Sequence, residues 1–203
     1  MTKLVYTTFL AFLLSTVLLS VPALAQKVDS VTEFALTDGE KVVKLSDFND
    51  QKLVAVVFTS SHCSWAKKYE ERLKELHHTY ADKGLAIIAV NSNNAAMNEM
   101  DDPSVMRTVT VFPFPYLKDE DQSVAKMFQA KKNPEVFLLK PAGAGFKVVY
   151  SGKIDDNPLD AKLVKQNFLH DAIDSLLQGS NPAIEHSPAS GCLIKTMDEA
   201  PSR

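Results

Sequence analysis

Two uninterrupted apolar runs, Leu53-Val54-Ala55-Val56-Val57-Phe58 and Leu85-Ala86-Ile87-Ile88-Ala89-Val90, constrain this chain more than any other feature. Each has the length of a strand, and neither alternates with polar residues. That is the pattern of strands covered on both faces, as in a parallel sheet between helices. The stretch between them predicts a helix over 64–81, with Trp65, Tyr69, Leu73, Leu76 and Tyr80 recurring at helical spacing. Lys67, Lys68, Glu70, Glu71, Lys74 and Glu75 cover the opposite face, and Gly84 supplies the turn. Strand, crossover helix and strand make a βαβ unit, expected to be right-handed.

After Val90, Asn91-Ser92-Asn93-Asn94 forms a polar loop at the carboxyl end of the second strand. Asp102-Pro103 reads as an N-cap with proline at the first helical position. Phe112 to Leu117 is expected to be extended and Asp121 to Ala130 helical. Glu135–Leu139 and Phe146–Tyr150 flank Pro141-Ala142-Gly143-Ala144-Gly145, which predicts an antiparallel hairpin. A last amphipathic helix uses Leu163, Val164, Phe168, Ala172, Ile173 and Leu176 and ends at Gly179, with Asp155-Asp156 read as an acidic turn capping it. From Ser180 the chain is polar, carries Pro182, Pro188 and Pro201, and has no periodicity. It reads as a flexible tail over 180–203.

Composition narrows the functional classes. Net charge is −3 and the basic residues form no cluster larger than a pair, so no nucleic-acid footprint is present. Two cysteines exclude a disulfide-dense scaffold and a four-thiolate zinc site. At the start, Lys3 precedes a charge-free stretch from Leu4 to Val21, and Ala23-Leu24-Ala25 before Gln26 is a small-x-small cleavage pattern. Residues 1–25 therefore read as a secretory signal peptide rather than a stable membrane span. The remaining 26–179 would form the domain, in a periplasmic or extracellular setting where thiols oxidise.

Cys63 carries the candidate chemistry. It follows the first apolar run by five residues and stands just before the helix, in Thr59-Ser60-Ser61-His62-Cys63-Ser64-Trp65. Unpaired backbone N–H groups and the positive end of the helix dipole favour thiolate there, and His62 can add charge or shuttle protons. The flanking Ser, Ser, His and Ser are not the surroundings of an inert core cysteine. Adjacent His62 and Cys63 supply at most part of a metal site. No cofactor is called for.

Phe58 to Tyr69 resembles the active-site turn of thioredoxin-like redoxins, in particular a peroxiredoxin-like branch of the AhpC/TSA type, which carries His-Cys-Pro-Tyr before a helix rich in Lys, Tyr and Glu. Ala89-Val90-Asn91-Ser92-Asn93, Phe112-Pro113-Phe114-Pro115-Tyr116-Leu117, Gly152-Lys153-Ile154-Asp155-Asp156-Asn157 and Gly191-Cys192-Leu193-Ile194-Lys195 extend the similarity in order from Val31 to Lys195. The resemblance implies a thioredoxin-like α/β fold, a mixed sheet flanked by helices with an inserted helix and a C-terminal tail. It also implies that Pro134 is a cis-proline facing Cys63. Departures are informative. Ala66 stands where a Cys-x-x-Cys motif needs its second thiol, so local dithiol exchange is excluded. Ser60 fits the peroxiredoxin hydroxyl position, whereas Val56 replaces that motif's proline and Ser64-Trp65 replaces the branch's Pro-Tyr.

These readings converge on an exported thiol oxidoreductase. Cys63 would attack a peroxide or disulfide substrate, and Cys192 would resolve the product. His62 and Ser60 would support the thiolate, and a separate thiol reductant would close the cycle. Two rivals stand beside it: a non-catalytic binding module with a static Cys63–Cys192 disulfide, and a copper-handling protein using Cys63, His62 and Cys192.

Overall fold

The computed structural model describes residues 28–196. The first apolar run becomes β4 (Leu53–Phe58), the second β5 (Leu85–Asn91), and they pair in parallel from Leu53 opposite Leu85 to Phe58 opposite Val90. The absence of alternation has a simple cause. Leu53, Ala55 and Val57 face one core and Val54, Val56 and Phe58 the other, and all six are buried. Each large side chain so buried stabilises the fold by roughly 1.5–3 kcal/mol.

The other sheet strands are β1 (Ser30–Val31), β2 (Ala35–Thr37), β3 (Val42–Lys44), β6 (Tyr116–Lys118), β8 (Glu135–Ala142), β9 (Gly145–Gly152) and β10 (His186–Ser187). The order is β1-β9-β8-β4-β5-β6-β2-β3, with β10 pairing β9. The hairpin expected around Gly143 is β8–β9, antiparallel, and β8 lies antiparallel to β4. A separate two-stranded pair joins β7 (Lys132–Asn133) to β11 (Cys192–Leu193). This is the mixed, helix-flanked α/β sheet of a thioredoxin-like fold.

Of the helices, α2 (Glu70–Tyr80) and α5 (Phe168–Leu177) bury Leu73, Leu76, Tyr80, Leu169, Ala172 and Ile173 in one core. On the other face, α4 (Ser123–Phe128) contributes Val124, Ala125 and Phe128, and the Phe128 ring meets Phe58 edge-on at 5.6 Å. The inserted helix is α3 (Pro103–Val109); Asp102 caps it by accepting from the Ser104 amide, with Pro103 in the first turn.

Four expectations are corrected. The helix over 64–81 is broken: α1 (Ser64–Lys67) closes with 3₁₀-type bonds from Lys68 and Tyr69 to Trp65 and Ala66 before α2 begins. The break takes Trp65 off the buried stripe, leaving it 39% exposed, and lets the Tyr69 hydroxyl donate to Asp155 at 2.8 Å. The last helix starts at Phe168, and Asp155-Asp156 does not cap it: Asp155 binds Tyr69 and Arg72, while Asp156 accepts from the Lys165 amide. Of the extended segment expected from Phe112 to Leu117, only Tyr116 and Leu117 pair as a strand, in β6. Of the segment read as a flexible tail, the described residues 180–196 include two short strands, β10 on β9 and β11 on β7. The signal-peptide reading lies outside the described residues, among which no helix is long and apolar enough to cross a membrane.

Candidate active site

The turn between β4 and α1 holds the site. Its backbone leaves β4 with the Thr59 amide bonded to the Val90 carbonyl, and Cys63 becomes the N-cap of α1. The Cys63 Sγ lies 3.5 Å from the Ala66 amide nitrogen, which donates toward it, and 3.2 Å from the Asn133 carbonyl oxygen. An N-cap sulfur therefore faces a helix N–H, an arrangement that favours thiolate over thiol once the cysteine is reduced. Cys63 is 1% exposed.

Cys63 is disulfide-bonded to Cys192 across a sequence separation of 129 residues, with Cα atoms 6.2 Å apart. The tail delivers Cys192 by backbone pairing. Cys192 lies opposite Asn133 and Leu193 opposite Lys132, and the Asn133–Pro134 peptide is cis. Pro134, Trp65, Tyr69, Asp155, Asp156 and Ser190 line a cleft of about 240 Å³ beside the disulfide.

Two glycines permit the docking. A β-carbon on Gly191 would stand 2.2 Å from the Asn133 carbonyl oxygen, and one on Gly152 would stand 1.6 Å from that of Ser187. Both also have positive φ, so a side chain at either would be strained as well as blocked. Further along, the Ile194 amide donates to Lys131 at 3.0 Å and the Lys195 amide to the Asn93 side chain at 2.9 Å. Short backbone pairings, single side-chain bonds and the lone buried Ile194 hold the tail, and none of these needs a hydrophobic period.

His62 and Ser60 converge on a residue that sequence reasoning missed, Asp101. Its carboxylate is wholly buried. Oδ1 accepts from Ser60 Oγ and Asn91 Nδ2, each at 2.9 Å; Oδ2 accepts from Asn93 Nδ2 at 3.1 Å and is closely bonded to His62 Nδ1. Burial opposes the charge, but these donors outweigh it and hold the Asp101 carboxyl below its ordinary range. The network continues through Tyr116, whose hydroxyl meets Ser61 Oγ at 3.0 Å and whose pKa burial drives upward. Lys118 Nζ donates to the Asn93 carbonyl, and burial lowers its pKa. The signal for Asp101 was weak: it sits next to the helix cap Asp102, in a loop whose short 3₁₀ turns at 95–97 and 99–101 no period announces.

Among the described residues, no three His, Cys, Asp or Glu side chains form a metal-binding group. The copper reading would draw on Cys63, Cys192 and His62, yet here both sulfurs are consumed by their mutual bond and the His62 Nδ1 is taken by Asp101.

Fold and site together define a thioredoxin-like redoxin. The AhpC/TSA family matches residues 28–147, more than half of the chain, and the protein belongs to that family, which is of thiol oxidoreductase type. Solved relatives agree. The chain is 31% identical to a hypothetical protein from Sinorhizobium meliloti, covering 85% of this chain and 96% of that one with a TM-score of 0.75. It is 32% identical to an uncharacterized conserved protein from Geobacillus kaustophilus, covering 89% and 96% with a TM-score of 0.77. A protein described as a thiol:disulfide interchange protein DsbE, from Chlorobium tepidum, is 26% identical, covering 62% and 84% with a TM-score of 0.51. No curated protein matches. The family match ends at Lys147, so it includes Ser60, His62, Cys63 and Pro134 but not Cys192.

Proposed function

We propose that this protein is an exported thiol–disulfide oxidoreductase in which Cys63 is the attacking thiol and Cys192 the resolving one. The observation that carries the reading is the pairing itself: an N-cap sulfur bonded to a cysteine on a strand laid beside Asn133–Pro134. In one half-cycle the Cys63 thiolate attacks a substrate disulfide, forming a mixed disulfide and releasing one substrate thiolate. Cys192, as thiolate, then attacks the Cys63 sulfur and releases the second. The two protein thiols lose two electrons and two protons, and the substrate disulfide gains them. A thiol reductant reverses the change. The likeness to a protein described as a thiol:disulfide interchange protein favours disulfide over peroxide. In this reading 26–179 is the redoxin domain, 180–203 its cysteine-bearing tail, and 1–25 the export signal that takes it to an oxidising compartment. Ser60 and His62 precede the reacting cysteine in its turn, and Pro134 follows Asn133, whose carbonyl oxygen lies 3.2 Å from the Cys63 sulfur. The mature protein then works in the periplasm or outside the cell.

The test is intact-mass mapping of reduced protein after exposure to a disulfide-bonded peptide and, separately, to hydrogen peroxide. Cys192→Ser is expected to trap the peptide on Cys63 within minutes, and peroxide is expected to act more slowly. Trapping of sulfenic acid by peroxide at a faster rate than peptide capture would replace the substrate class. Capture at neither cysteine would return the protein to a binding module with a static disulfide.

A further inference from the structure

A carboxylate removed entirely from water is expensive to keep charged, and the fold has surrounded Asp101 with four donors to do it. Three of them, Ser60, Asn91 and Asn93, already place a donor on each oxygen. The fourth, His62, is the immediate neighbour of Cys63 and is part-exposed, with 23% of its side chain in water. A carboxylate only accepts, so its contact with Nδ1 requires the proton on Nδ1 and leaves Nε2 as the nitrogen able to exchange one.

Resting on the reading of Cys63 as the attacking thiol, we propose that Asp101 is the positioning residue of the site: it fixes His62 in the Nδ1–H tautomer and balances the imidazolium formed when His62 takes the proton of Cys63. The step is a proton transfer, from the Cys63 sulfur to His62 Nε2, giving thiolate and imidazolium beside a carboxylate. In the reverse direction, when a second reductant thiolate attacks the mixed disulfide on Cys63 and Cys63 leaves as thiolate, a proton held on His62 Nε2 passes to its sulfur. Asp101 touches neither sulfur and acts through His62. Its other neighbours define the background. Lys118 and Tyr116 face Asp101 from β6, Asp102 adjoins Lys118, and Glu70 faces Tyr116 from α2.

The experiment uses the full chain carrying Cys192→Ser, so that Cys63 is the lone thiol, and measures its iodoacetamide alkylation rate from pH 5 to pH 9. This parent is expected to reach half its maximal rate below the free-thiol value of about 8.5. Asp101→Asn is expected to move the step upward and slow alkylation at pH 7 roughly tenfold, one unit of thiol pKa. His62→Gln should do the same, and the double variant should be no slower than His62→Gln alone, because Asp101 works only through that ring. A parent step at or above about 8.5 overturns the reactive reading of Cys63 and this proposal with it. A low parent step that Asp101→Asn leaves in place overturns the Asp101 assignment alone, as do multiplying losses in the double variant. A step that survives His62→Gln and vanishes in Lys118→Met overturns it too. Should Asp101→Asn not fold, nitrogen NMR of His62 in the unaltered protein decides: the Nδ1–H tautomer is required, and the Nε2–H tautomer overturns the proposal.

Discussion

The two ends of the disulfide are held by opposite means. On the Cys63 side, Thr59, Ser60 and Ser61 are buried, and the Ser60 and Ser61 hydroxyls enter a network with Asp101, Tyr116 and the Met106 carbonyl. Moving that turn would strand buried polar groups, each costing about 1–3 kcal/mol. On the Cys192 side, two two-residue strands, the buried Ile194 side chain and the bonds of Lys195 to Asn93, Asn94 and Gln122 do the holding, while Leu193 is 51% exposed. A turn tied down by buried hydroxyls therefore faces a partner pinned on either side of its sulfur, at Ser187 and at Ile194-Lys195. Ser187 is the anchor on the N-terminal side, because its buried hydroxyl meets Tyr150 Oη at 2.6 Å and accepts from the Lys153 amide at 3.0 Å. Five residues of chain then lead to Cys192, a tether of at most about 18 Å. Released from Cys63, the thiol stays within reach of it at an effective concentration in the millimolar range.

The largest test of this asymmetry is to remove each sulfur. Cys63→Ser is expected to abolish disulfide exchange, whereas Cys192→Ser should stall it after the first attack with substrate bound to Cys63. Reduction of the unaltered protein should lower stability by roughly 2–5 kcal/mol, read as a fall in the denaturation midpoint. Hydrogen exchange after reduction should then rise in 188–196 and stay unchanged in 59–63. Equal exchange at both ends would break the comparison.

A smaller perturbation should separate the two tail contacts. Gly191→Ala places a methyl against the Asn133 carbonyl beside the disulfide, and Gly152→Ala places one against Ser187 at the other anchor. Overpacking of this kind costs about 1–3 kcal/mol. The Gly191 variant is expected to shift the Cys63–Cys192 equilibrium toward dithiol in a glutathione titration by about tenfold. Gly152→Ala should loosen 185–187 with a weaker shift. A larger shift from Gly152→Ala would move the working anchor from β11 to β10.

The same contrast explains what could be read in advance. The β4–α–β5 core was legible because both faces of each strand are covered, which writes an unbroken apolar run, and Cys63 was legible because it stands where strand gives way to helix. Asp101 was not, since its role comes from a loop that packs 39 residues from His62. The tail strands were not, because two residues cannot display a period and their bonds come from backbone atoms. The break after α1 was hidden for another reason. Tyr69 keeps the helical spacing of the apolar stripe and a right-handed helical backbone, while its amide bonds three residues back to the Ala66 carbonyl and interrupts the α-helical ladder.

The smallest expected effect concerns acid, and it separates the site from the terminal helix. His170 on α5 is held below its ordinary pKa, chiefly by burial, beside the Tyr80 hydroxyl. The unfolded chain therefore binds this proton more readily than the folded one, and stability falls as pH drops through the ordinary histidine range near about 6.5. Asp101 loses its contribution in the same direction but later. Its folded pKa is also depressed, so its stabilisation is complete above the ordinary carboxylate value of about 3.9 and is lost as pH falls through the lower folded one. Urea midpoints measured between pH 7.5 and pH 5 should decline modestly, and His170→Gln should flatten that decline while leaving Cys63 alkylation unchanged. A decline that His170→Gln leaves in place would assign the proton taken up in this range to a group outside α5, and the terminal helix would no longer be the part of the fold that acid loosens first.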